Sequence, residues 1–114
     1  MTSSENFEIK ETTIADIHAA FQAGTLTARK LVKMYCDRID GFDQKGPAIN
    51  SLISINPRVM DEADRLDGVF KSSGLVDPLH GIPLIMKDQC DIAEMPTTMG
   101  SVLFKDHMPG RDSF

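Results

Sequence analysis

Cysteine is scarce in this chain of 114 residues: Cys36 and Cys90 stand far apart, with no second Cys or His at metal-ligand spacing. That excludes a disulfide framework and a Cys/His zinc site, and reduced thiols are expected instead. Basic charge is also short, with 12 Lys and Arg against 17 Asp and Glu, a net charge of -5 and no basic patch. The chain therefore carries no electrostatic footprint for nucleic acid. Met1 to Thr13 is polar and acidic, so neither a secretory signal nor a membrane anchor is expected, and the cytoplasm is the default compartment. No Gly-rich stretch precedes Lys87, which excludes a phosphate-binding loop and the glycine loop of a protein kinase. No repeat or low-complexity segment is visible, and no cofactor or metal site is expected.

What is present is ordinary soluble material, 41% hydrophobic and 25% charged, enough for one domain over residues 1–114 with a modest core. Phe7 and Ile9 are expected to fix the polar lead against the body. A first helix should follow Thr13 as N-cap, with Asp16 three positions on, an apolar set Ile14, Ile17, Ala20 and Phe21, and Gly24 as its stop. A second should follow Thr27, with Leu26 and Leu31 as a hydrophobic staple and Leu31, Val32, Tyr35 and Ile39 as its buried stripe. Gly41 to Pro47 reads as a loop and Ile49 to Ile55 as a short strand. Asn56 and Pro57 should open a third helix that buries Val59, Ala63, Leu66 and Phe70 and stops at Gly74. Asp61, Glu62, Asp64, Arg65 and Asp67 then read as its solvated face. His18 is expected at the surface or half-buried, and Cys36 as small core filler. Helices around strands imply an α/β body.

The densest information lies in Pro78-Leu79-His80-Gly81-Ile82-Pro83-Leu84-Ile85-Met86-Lys87-Asp88, an apolar run that ends in one lysine. If Leu84 to Met86 is a buried strand, it can hold that amine in a dry site. Burial disfavours the ammonium form, so a lysine starting from a pKa of about 10.4 can become a usable base. Strand alternation aims Asp88 away from Lys87, toward a structural or hydrogen-bonding role. Beyond Gln89-Cys90-Asp91-Ile92-Ala93-Glu94, Met95 to Ser101 reads as a polar loop whose Thr97, Thr98, Gly100 and Ser101 stabilise a turn. Cys90 has no His partner in the sequence around it and is not expected to be a nucleophile.

The run from Pro78 to Ser101 resembles the amidase signature family, whose members read Pro-Leu-His-Gly-Ile-Pro, three apolar residues, Lys-Asp, a variable stretch and a Thr-Thr-x-Gly-Ser loop. Weaker resemblance extends to the helices near Thr13 and Thr27 and to Pro109-Gly110-Arg111-Asp112. The resemblance implies an α/β fold in which this chain is an N-terminal portion, its helices packed on the edge of a mixed sheet. It implies a small-molecule amide as substrate and casts Lys87 as the base of a Ser, cis-Ser, Lys triad. His80 belongs to the turn in that pattern. Ser72, Ser73, Ser101 and Ser113 match neither serine, so the chain alone is expected to be inactive. The alternative is a noncatalytic binding or scaffold module. Gln89-Cys90 and Glu94 depart from the family's more frequent residues and leave the subgroup open.

Overall fold

The computed structural model describes residues 7–93, 95–104 and 106–113. Readings placed on Met1 to Asn6, Glu94 and Phe114 lie outside the described residues. Three α-helices are present, α1 (Ile14–Ala23), α2 (Ala28–Arg38) and α3 (Val59–Ser73), with a π-helical turn over Ile39–Gln44 and a 3-10 turn over Val102–Phe104. The chain divides into two compact units, Met1–Ile49 with Arg58–Pro83, and Asn50–Pro57 with Leu84–Phe114.

Local chemistry sets the ends of the helices in the first unit. Thr13 accepts the amide of Asp16 at 3.0 Å, and Thr27 accepts that of Lys30 at 3.1 Å. Gly24 closes α1 at φ 77°, with its own amide bonded to the Phe21 carbonyl and that of Thr25 to Ala20, which satisfies two carbonyls left free by the last turn. Gly74 stops α3 at φ 72° and donates to Phe70 at 2.8 Å.

Packing α3 against α2 adds a cap that sequence does not announce. Asp67 on α3 accepts the amides of Ala28 at 2.7 Å and Arg29 at 3.1 Å, so with Thr27 the first three amides of α2 are all satisfied. The expected solvated face is thus corrected at Asp67, while Asp64 pairs with Arg29 at 2.6 Å where both side chains are half exposed. Ile9, Ile17, Ala20, Phe21, Leu26, Ala28, Leu31, Val32 and Ala63 form the core, and Phe7, Tyr35, Cys36, Val59 and Phe70 pack on it half-buried.

The turn at His80 docks on this core. Gly81 has φ 71°, and a Cβ there would lie 2.8 Å from the Phe21 ring, so both conformation and space require glycine. His80 is buried, and its Nε2 donates to the Leu66 carbonyl at 3.1 Å, while half-buried His18 donates from Nε2 to the His80 carbonyl at 2.8 Å. Phe21 and Phe70 lie beside these two rings at centroid distances of 5.9 to 6.2 Å.

Three further expectations need correction. No strand occurs among the described residues: Ile49 to Ile55 and Leu84 to Met86 lie in irregular backbone. A strand is completed by the ladder of a neighbour, and no described segment supplies one; left-handed Asn50 (φ 56°) also interrupts the first run, just after left-handed Ala48 (φ 52°). Second, the loop expected from Gly41 begins inside a π-helical turn that continues α2 through Gln44, with the Arg38 guanidinium 5.0 Å above the Phe42 ring. Third, α3 starts at Val59, because Pro57 and Arg58 form a turn and Arg58 sits at φ -105°, ψ 15°, outside helical space.

Candidate functional site

The second unit is organised by hydrogen bonds: its buried residues among those described are Thr97 and Thr98, and its aliphatic residues are exposed or half-exposed. Asp88 is the hub. Its Oδ1 accepts the Thr98 amide at 2.9 Å, and its Oδ2 accepts the Thr98 hydroxyl and, at 3.3 Å, the Gly100 amide. The backbone carbonyl of Asp88 accepts the Met99 amide at 3.3 Å. The Thr98 hydroxyl, the Thr98 amide and, more weakly, the Gly100 and Met99 amides hold the Asp88 carboxyl below its ordinary pKa of 3.8, against an opposing desolvation.

Further bonds secure the loop on its other side. The Thr97 amide donates to the His107 carbonyl at 2.9 Å, and its hydroxyl to the Cys90 carbonyl at 3.5 Å. Asp91 and Ser113 exchange two bonds of 2.7 Å, and Asp112 accepts the Ala93 amide at 2.7 Å. Ser101 accepts the Leu103 amide at 3.2 Å, a turn contact.

Beside this loop lies an open cleft of 370 Å³ lined by Ile53, Lys87, Asp88, Gln89, Met99 and Gly100. Lys87 lines this cleft beside the Thr-Thr-Met-Gly-Ser loop, but it does not stand at the end of a buried strand as expected. It is exposed, as are Leu84 at 64%, Ile85 at 77% and Met86 at 53%, so the described residues do not form the expected dry site. Met99 is held at φ 52° and Gly100 at φ 72°.

Other candidates sort themselves by their contacts. His80 is occupied in the turn on the first unit, as expected of it, and its buried Nδ1 has no partner among the described residues. Cys36 and Cys90 are half-buried free thiols. Among the described residues no cluster of three or more His, Cys, Asp or Glu could hold a metal ion, and no helix is long and apolar enough to cross a membrane. The sequence reading missed the Asp88 latch in detail. Its trace is a carboxylate followed ten residues on by Thr98 and, two residues after that, by Gly100.

The Amidase family profile matches residues 30–114, and the chain belongs to that family. The A subunit of glutamyl-tRNA(Gln) amidotransferase from Exiguobacterium sibiricum is 30% identical over 100 residues, covering 88% of this chain and 20% of that protein. An amidase of Gibberella zeae is 34% identical over 110 residues, covering 96% of this chain and 17% of the relative. Among solved structures, the native peptide amidase of Stenotrophomonas maltophilia superposes with a TM-score of 0.85 at 37% identity, over 89% of this chain and 21% of that one. The chain thus spans about a fifth of the length of the relatives it matches. Amidase signature enzymes are α/β, and the regular structure of this segment is helical among the described residues.

Proposed function

We propose that Lys87 is the terminal base of an amide-hydrolysing centre, and that residues 1–114 contribute it to a single cytoplasmic amidase domain of the Ser, cis-Ser, Lys type. The observation that carries this reading is Lys87 lining the cleft beside the latched Thr98–Ser101 loop in a chain that belongs to the Amidase family. The amine takes a proton from a bridging serine, which relays it from a nucleophilic serine. Attack on the carbonyl of a small amide gives an acyl-enzyme and frees an amine or ammonia.

Among the described serines, Ser101 and Ser113 accept backbone amides, and the hydroxyl of Ser72 donates to the Val69 carbonyl. With a base but neither nucleophile nor oxyanion donors, the chain performs no hydrolysis by itself. A sensitive amidase assay on the purified chain is expected to read zero. Turnover that Lys87→Ala abolishes would refute that inactivity. In a full-length amidase carrying this segment, Lys87→Ala is expected to slow acylation at least a hundredfold with an unchanged melting curve, since general-base help contributes about 10²- to 10⁴-fold. Loss of the fold instead would mark Lys87 as structural and overturn the assignment.

A further inference from the structure

We infer that Asp88 is a positioning residue that, through Thr98 and Gly100, holds Met99 as a fixed apolar wall of the Lys87 cleft and selects amides bearing an apolar group. The inference deepens the proposed function and rests on it for the identity of the ligand.

Met99 carries the argument. A non-glycine residue in left-handed backbone is uncommon, and such a conformation persists where its surroundings over-determine it. Four described residues other than glycine have it, Glu11, Ala48, Asn50 and Met99, and of these Met99 lines the cleft. Its surroundings over-determine it: the residues on both sides are tied to one carboxylate by two amides and a hydroxyl, its own amide reaches the Asp88 carbonyl, and the Gly100 amide also meets the Thr98 hydroxyl at 3.2 Å. Releasing the carboxylate frees Met99 to return to ordinary backbone space, which redirects its side chain.

The lining divides by chemistry. Lys87 and Gln89 offer an amine and a carboxamide, and Met99 and Ile53 offer a thioether and an aliphatic chain. A molecule with a polar amide head and an apolar body matches both parts, and the methionine's polarisable, unbranched chain adapts to the body's shape.

The test uses the isotope-labelled chain, with acetamide and hexanamide as probes, read by NMR at the Met99 methyl and at the amides of Thr98 and Gly100. Hexanamide is expected to bind at least fivefold more tightly than acetamide. Asp88→Ala should erase that preference and speed exchange of the Thr98 and Gly100 amides at least tenfold, with Leu31 in the other unit's core unaffected. Thr98→Ser, which keeps the hydroxyl, should retain both properties, whereas Thr98→Val should lose them. Met99→Ala should lose the preference and keep the amide protection. Equal binding of the two probes, no binding of hexanamide, or a preference that survives Asp88→Ala would each overturn the inference. Full-length activity indifferent to Lys87→Ala would sink the base assignment while leaving these measurements standing, so the two failures are separable.

Discussion

Asp88 and Lys87 are neighbours in sequence with opposite situations: the carboxylate is tied into three hydrogen bonds and the amine stands exposed in the cleft. The tied group gives the loop a pH dependence of definite sign. Because the folded carboxyl lies below its ordinary 3.8, the folded chain binds fewer protons than the unfolded chain in the acid range. The latch is therefore complete above pH 3.8 and is lost as pH falls through the lowered folded value. Thr98 and Gly100 amide shifts followed from pH 6 downward are expected to hold steady, then move in the acid range below about 3.8, while Asp88→Asn flattens the curve. A transition already centred between pH 5 and 6 would contradict the latch.

At the scale of elements, the carboxylate on α3 that caps α2 has a measurable consequence. Removing a side-chain cap costs about 0.5 to 2 kcal/mol, typically about 1, whereas an exposed ion pair contributes about 0 to 1 kcal/mol. Asp67→Ala is therefore expected to lower stability by about 1 to 2 kcal/mol in urea unfolding, and Asp64→Ala by about 0.5 kcal/mol or less. Equal effects would return Asp67 to a solvated face. This carboxylate also marks the boundary of what sequence discloses. Thr13, Thr27, Gly24 and Gly74 act within one turn of themselves, so their roles in capping and stopping were legible. Asp67 acts on residues 38 and 39 positions away, and no periodicity within α3 carries that information. The same reason separates the site's parts. The order of Lys87, Asp88 and the Thr-Thr-Met-Gly-Ser loop was plain in the sequence, but the closure of that loop onto Asp88 spans ten residues and needed geometry. Strands failed for a related cause, since apolar patterning states which residues can join a sheet and says nothing about whether a neighbouring strand is present.

Across the whole chain, the two units rest on different forces. Among the described residues, every buried apolar one lies in the unit of Met1–Ile49 with Arg58–Pro83, where Leu31 is fully buried. The unit of Asn50–Pro57 with Leu84–Phe114 carries the candidate site and exposes Val102 at 80%, Leu103 at 91% and Ile85 at 77%. Hydrogen bonds contribute about 0.5 to 1.5 kcal/mol each, while burying one large aliphatic side chain contributes about 1.5 to 3 kcal/mol. A unit held by the former without the latter opens more readily, and exposed aliphatic groups on irregular backbone favour self-association. Hydrogen exchange on the isolated chain is accordingly expected to show slow amides within α1, α2 and α3. Exchange over residues 84–113 should be at least a hundredfold faster, with Thr98 and Gly100 the slowest among them. Replacing Ile85 and Leu103 with Lys should reduce light scattering at high protein concentration without changing exchange in α2, because neither side chain belongs to the core. A single cooperative opening that exchanges both units at one rate would refute this division. It would mean that the site-bearing unit draws its order from the core of the helices rather than from the Asp88 latch.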